Sequence, residues 1–168
     1  MIKIESLSKS FGPKQVLKDL SLEFEGGQTT VVLGRSGTGK SVLLKLILRL
    51  MPLDSGRIHV DNVDTTDFRE REMMAVRRKI GMLFQGSALF DSMNVFENVA
   101  YTLREHTRMS EDEVRQRVEE KLTFVEMSGT ERLVPSELSG GMQKRIALAR
   151  ARAGDPDYIF FDEPTTGL

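Results

Sequence analysis

Apolar positions recur with two different periods along the chain. Ile2 to Leu7 alternates apolar and polar residues, and Val16 to Phe24 does so again after the turn signal Gly12-Pro13. Alternation of that kind predicts two antiparallel strands, each with one wet face. Gly26-Gly27 closes this unit, and Gln28 to Leu33 (Gln-Thr-Thr-Val-Val-Leu) reads as a short buried strand. Val42 to Leu50 is apolar nearly all round, which predicts a buried helix, and Pro52 with Asp54-Ser55-Gly56 turns the chain into another strand over Arg57 to Asp61. Glu70 to Lys79 is charged, with Met73, Met74 and Val76 as its apolar positions, and suggests a short exposed helix. Ile80 to Phe84 is then a buried strand that ends on Gln85.

From Gly86 the period becomes helical. Asn94-Val-Phe-Glu97 is a capping box opening a helix through about Glu105, and Ser110-Glu-Asp-Glu113 is a second box opening a longer one. Val114, Val118, Leu122 and Val125 form one apolar stripe on that helix. The charged residues of Glu111 to Lys121 read as a solvated face with i,i+4 pairs. After Pro135-Ser136-Glu137 a third helix runs from Gln143 to about Ala153, and Tyr158 to Phe161 is an apolar strand. The pattern divides the chain into residues 1–86, 87–153 and 154–168. These are an α/β core preceded by an antiparallel β portion, an inserted helical subdomain, and a return to the core.

Chemistry enters at the joint between the Gln28 to Leu33 run and the first helix. Gly34-Arg35-Ser36-Gly37-Thr38-Gly39-Lys40-Ser41 satisfies the phosphate-loop pattern, and its strand-to-helix context fits. Glycines let backbone N–H groups face inward, and a helix N-terminus adds partial positive charge at the same spot. Lys40 would reach the β- and γ-phosphates of a nucleotide, and the Ser41 hydroxyl would ligate Mg2+. Asp162, after four apolar residues, has the Walker B arrangement of a magnesium-holding carboxylate, and Glu163 beside it is placed to act as general base toward a water. Many strands end in acidic turns, so this pair gains its meaning from the phosphate loop before it. Gln85 is a candidate second contact to magnesium or water, against the alternative of an ordinary exposed loop glutamine. His59 and His106 have no further ligand at metal spacing and read as a partly exposed strand residue and a solvated helix-end residue.

Composition narrows the class. Twenty-four basic and 25 acidic residues leave a net charge of -1, so nothing marks a surface for nucleic acid, and phosphate binding must be local. The absence of cysteine rules out disulfides and thiolate metal sites. The N-terminus carries charges where a signal peptide needs an apolar core, and no run reaches membrane-spanning length. A soluble cytoplasmic protein is expected, with any membrane role supplied by a partner.

Phosphate loop, Gln85, a helical lobe, Leu138-Ser139-Gly140-Gly141-Met142 and Tyr158-Ile-Phe-Phe-Asp-Glu-Pro164, in that order, closely resemble the nucleotide-binding subunit of an ATP-binding-cassette transporter. The resemblance covers essentially the whole chain and implies a P-loop NTPase core of RecA-like type. It makes ATP and Mg2+ the cofactors, Phe11 the aromatic that stacks on adenine with Val16 beside it, Gln85 the Q-loop glutamine, and Ser139, Gly140 and Gly141 the signature loop. In this family the signature cup closes over ATP bound to the other subunit, so a homodimer with composite sites is implied. A membrane permease is implied as partner, with a peripheral location on the inner face of the cell membrane. The stretch Leu83 to Val99, Leu103-Arg-Glu-His-Thr107 and the signature variant with Met142 where glutamine is usual look like the ATPase of Mla-type phospholipid transporters.

The same resemblance exposes an absence. Family members continue after Thr165-Thr166-Gly167-Leu168 with a D-loop aspartate, further core strands and a switch histidine, and neither His59 nor His106 stands in the switch position. The C-terminal part of the core is thus expected to be missing, leaving an open sheet edge and marginal stability. Two readings follow: an ATPase subunit powering lipid transport as the full-length protein, and a nucleotide-binding fragment without hydrolysis for this chain alone. A soluble cassette ATPase acting on DNA or ribosomes is the third class, and the near-neutral charge argues against it.

Overall fold

The computed structural model describes residues 1–163; the expectation that rested on Thr165-Thr166-Gly167-Leu168 lies outside the described residues. The chain forms two compact units, Met1–Arg77 and one from Arg78 onward.

The first unit is built on a four-stranded antiparallel sheet of β1 (Ile2–Phe11), β2 (Lys14–Phe24), β3 (Ser55–Val60) and β4 (Val63–Asp64), in the order β2-β1-β3-β4. Ile2 and Ile4 are buried on one face of β1, and the burial alternation restarts at Leu7 because the ladder shifts register between Ile4 and Leu7. Ser6 takes the left-handed conformation there, with φ of 48°. Across from it, Gly56 has φ of 101°, and a Cβ would stand 2.6 Å from the Glu5 carbonyl oxygen and from Leu7 Cα. Helix α1 (Lys40–Ile47) buries Leu43, Leu46 and Ile47. Its far end is held by Arg77 of α2 (Glu70–Arg78), whose Nε donates to the Leu48 carbonyl at 2.9 Å and whose Nη2 donates to the Arg49 carbonyl at 3.2 Å. Helix α2 is less exposed than its charge pattern predicts, since Met73 and Val76 are both buried.

One expectation fails in this unit. Gln28 to Leu33 is not a strand and not buried: Val31, Val32 and Leu33 are 70%, 43% and 87% exposed. A run of β-branched residues becomes a strand only where a neighbour takes its N–H and C=O groups, and this segment pairs with no strand among the described residues.

Among the described residues, the second unit joins a two-stranded parallel sheet, β5 (Ile80–Leu83) and β6 (Tyr158–Phe161), to three α-helices. These are α3 (Val95–His106), α4 (Glu111–Phe124) and α5 (Gly140–Arg152). Both capping boxes form: Asn94 and Glu97 close the start of α3, and Ser110 and Glu113 close that of α4. The stripe Val114, Val118, Leu122 and Val125 lies in the core of the lobe with Val99, Leu103 and Ile146. The polar side of α4 is not wholly solvated as its charges predict. Lys121 is buried, and its Nζ donates to Asp155 at 2.5 Å, while Arg117 bonds the other oxygen of the same carboxylate. Helix α5 lies directly on β5, because Gly81 has no side chain: a Cβ would run into the Ala151 carbonyl oxygen and come within 3.0 Å of Pro156 Cγ.

Candidate nucleotide site

In the first unit, Gly34 to Ser41 turns tightly into α1. Gly37 and Gly39 have φ of 78° and 104°, a region that costs other residues about 1–2 kcal/mol. A Cβ on Gly34 would meet Thr38 Oγ1 at 2.7 Å, and one on Gly39 would meet Val16 Cγ1 at 2.8 Å. Gly39 is therefore required by its φ and by the close approach of Val16 of β2, whereas at Gly34 the Thr38 hydroxyl would have to turn aside. Thr38 Oγ1 donates to the Arg35 carbonyl at 2.9 Å, and Lys40 Nζ donates to the carbonyls of Gly34 and Arg35 at 2.9 and 3.1 Å. The ammonium thus sits over the loop. No acidic side chain occupies the first turn of α1, so the positive end of the helix dipole is not neutralised from within the helix. Phe11 stands at the tip of the β1–β2 hairpin, 48% exposed, with Lys9 Nζ at 5.6 Å from its ring centroid. Lys9 is itself fixed by Asp54, whose carboxylate accepts from Lys9 Nζ and from the Ser10 N–H, both at 2.7 Å. These bonds hold the Asp54 carboxyl below the usual carboxylate range, the Lys9 contact being the stronger cause.

In the second unit, β5 and β6 run in parallel from Ile80↔Tyr158 to Leu83↔Phe161. The Asp162 N–H donates to the Leu83 carbonyl at 3.0 Å, which extends the ladder and places Asp162 at the carboxyl end of β6, 7% exposed. Glu163 follows in the left-handed region, with φ of 49°. The chain leaves β5 to put Gln85 opposite it, and Gln85 Nε2 donates to Glu163 Oε2 at 3.3 Å. The structure thus brings Gln85 and Glu163 together beside Asp162, at the strand ends where open α/β sheets bind ligands.

Ser139 caps α5, its side-chain oxygen accepting from the Met142 N–H at 3.3 Å. Gln143 Nε2 pins the approach to that cap by donating to the Pro135 carbonyl at 2.9 Å. A Cβ on Gly140 or Gly141 would meet nothing within 4 Å, so no neighbour among the described residues requires glycine at either position. Ser139, Gly140 and Gly141 are all exposed.

Two residues that the sequence did not single out organise the segment after Gln85. Asn98, fully buried on α3, accepts from the Phe90 N–H at 2.8 Å and donates to the carbonyls of Phe90, Met93 and Asn94. Arg150, in the last turn of α5, donates to the Ser87 and Ala88 carbonyls at 2.9 and 2.8 Å. An asparagine inside a helix and an arginine near a helix end carry no motif, and only the chain path brings these carbonyls to them.

The residues fit a magnesium nucleotide. In the first unit, Gly34 and Gly39 line the loop, Lys40 supplies a cation and Ser41 a hydroxyl oxygen; in the second unit, Asp162 supplies a carboxylate; oxygen donors of these kinds are what a hard divalent cation takes.

The chain is 46% identical over 168 residues to the intermembrane phospholipid transport system ATP-binding protein MlaF of Haemophilus influenzae, covering 99% of this chain and 63% of that protein. It is 45% identical over 167 residues to the probable ribonucleotide transport ATP-binding protein mkl of Mycobacterium leprae, covering 99% of this chain and 48% of that one. The chain therefore spans about half to less than two thirds of the length of these relatives. Among solved structures, the dimeric post-hydrolysis state of the ATP-binding cassette MJ0796 bound to ADP and Pi matches all of this chain and 76% of that one, with a TM-score of 0.92 and 35% identity. The architecture is thus that of ATP-binding cassettes, a P-loop NTPase fold. With its residues 17–166 matching the family described as ABC transporter, the chain belongs to that family.

Proposed function

We propose that this chain is the nucleotide-hydrolysing part of an ABC transporter that moves phospholipid, and that ATP is its substrate. The observation that carries the reading is the meeting of Gln85 with Glu163 beside buried Asp162, three residues outside the phosphate loop whose types match a water-activating and metal-holding set. Phe11 and Val16 receive the adenine side of the nucleotide, and Gly34 to Ser41 wraps its phosphates. Ser41, Asp162 and Gln85 are the residues that would hold Mg2+, and the cation would offset negative charge on the phosphoryl group in transfer. Lys40 leaves the loop carbonyls for the β- and γ-phosphate oxygens. Glu163 takes a proton from the water that attacks the γ-phosphorus, and the bond from that phosphorus to the bridging oxygen breaks, giving ADP and phosphate.

Ser139, Gly140 and Gly141 complete the site of a second copy. Support comes from the open space at both glycines among the described residues, which leaves room for another chain to approach closely. The permease is proposed to dock on α3, where a shallow cavity of about 360 Å3 is lined by Ser92, Met93, Glu97, Tyr101, Arg104 and Glu105. Beside it the rings of Phe90 and Tyr101, both exposed, lie 5.0 Å apart. No helix among the described residues is long and apolar enough to cross a membrane. The proposed place, the inner face of the cell membrane, follows from the proposed permease alone. Phospholipid is preferred as cargo on the likeness of Leu83 to Val99 to Mla-type ATPases. The test is to reconstitute the protein with its permease in vesicles and to compare ATP turnover with phospholipid and with ribonucleotide as cargo. Stimulation by ribonucleotide alone would reject the lipid assignment.

A second reading applies to the 168-residue chain by itself: it binds nucleotide and does not hydrolyse it. The exposure of Val31 to Leu33 favours this, because among the described residues no sheet holds the segment that feeds the phosphate loop. Phosphate release by the purified 168-residue chain that Lys40→Ala abolishes would refute it.

A further inference from the structure

Gly86, Ser87 and Ala88 are three consecutive residues with positive φ, at 80°, 66° and 48°. The Ala88 N–H donates to the Gly86 carbonyl at 2.8 Å, closing a three-residue turn centred on Ser87. A turn of this kind with positive φ at its centre is rare and strained, and non-glycine residues persist in it only where their surroundings over-determine them. Gln85 immediately precedes it, so the direction in which the Gln85 side chain leaves the backbone depends on this turn.

The surroundings here are Arg150. Its two terminal nitrogens divide between the Ser87 and Ala88 carbonyls, and its guanidinium carbon lies 5.6 Å from the centre of the Phe90 ring. Burial pushes its pKa down, yet a guanidinium stays charged, so the carbonyl dipoles and the ring face are what compensate it. The same helix begins at Ser139, eleven residues earlier, about 16 Å along the axis. Gly81 lets the helix lie against β5, the strand that leads to Gln85.

We propose that Arg150 is a positioning residue for Gln85: its fork holds the strained turn after the glutamine and ties it to the helix whose other end is the signature cup. A displacement of the cup is then transmitted along α5 to Gln85 and its partner Glu163. The catalytic consequence rests on the ATPase reading above, whereas the placement of the turn does not.

The experiment compares amide hydrogen exchange and steady-state ATP hydrolysis in the purified parent protein, Arg150→Lys and Arg150→Met. In Arg150→Met, exchange across Phe84 to Phe90 is expected to speed up by about tenfold or more while α3 and α4 stay protected as in the parent. Its kcat is expected to fall about tenfold with KM for ATP moving less than about twofold. Arg150→Lys keeps the charge without the fork and gives intermediate values, and it keeps the comparison readable if the methionine variant does not fold. Unchanged exchange across Phe84 to Phe90 in both variants overturns the proposal. So does an equal rise throughout α3 and α4, because Arg150 would then only hold the lobe together. A parent without ATP hydrolysis overturns the functional reading alone, and the exchange comparison still decides for or against Arg150.

Discussion

The side-chain amide of Gln85 donates to the carboxylate of Glu163 across 3.3 Å, joining residues 78 positions apart that leave the carboxyl ends of neighbouring parallel strands. Parallel pairing aligns both strand ends on one side, and the Asp162 N–H to Leu83 carbonyl bond carries the alignment one residue further. Glu163→Gln is expected to lower ATP turnover by about 100-fold or more, the lower end of a general-base contribution. Gln85→Ala is expected to lower it by a smaller factor. The contact is solvent-exposed, so neither substitution is expected to move stability by more than about 0.5 kcal/mol. Turnover assays with thermal denaturation on the same preparations check both statements.

Gly141→Ala separates folding from function at the signature loop. Open space surrounds the position, and alanine is the better helix former by up to about 1 kcal/mol in a helix interior, with less gained this close to the N-terminus. The variant is expected to melt no lower than the parent and to hydrolyse ATP poorly. A fall in both melting temperature and turnover would mean that glycine is needed for the fold.

Gly81→Ala is expected to do the opposite. Its Cβ would collide with the backbone carbonyl of Ala151, where no flexible side chain can move aside, at a cost of about 1–3 kcal/mol. Urea denaturation followed by circular dichroism measures the loss directly.

Asp155 anchors the entry to β6 by accepting from Lys121 and Arg117 of α4. Asp155→Ala leaves the buried Lys121 ammonium without its closest partner and is expected to cost about 1–3 kcal/mol. Adding Lys121→Met should recover part of that loss, because no charge then stays buried. The Lys121 bond, with Arg117 adding to it, holds the Asp155 carboxyl below its usual range. A carboxylate depressed in the folded state contributes its stability above its unfolded pKa and loses it as pH falls through the lower folded value. The gap between the parent and Asp155→Asn is therefore expected to be flat above about pH 5 and to close as pH drops below about 4. Denaturation midpoints across that range test the sign.

Local order was legible in the sequence. The hairpin of β1 and β2, both capping boxes, the stripe of α4 and the glycine pattern of the phosphate loop depend on residues a few positions apart. The structure gives the hairpin, the capping boxes and the stripe their expected form, whereas the phosphate loop follows an exposed segment in place of the expected buried strand. Lys121 shows where such reading stops: its neighbours along α4 describe a solvated face, and only the return of the chain at Asp155 buries it.

What the sequence alone determined is the chemistry available and the short-range geometry: phosphate-loop glycines, a lysine and a serine at the start of a helix, a carboxylate pair closing a strand. What the tertiary structure decided are the relations that need two distant segments. Gln85 gains Glu163 only because β5 and β6 pair in parallel, and Ser87 and Ala88 gain Arg150 only because Gly81 lets α5 lie on β5. Val31 to Leu33 is the converse case. Its β-branched residues state a preference, but a strand exists only as one side of a hydrogen-bonded pair, and no strand among the described residues supplies the other side.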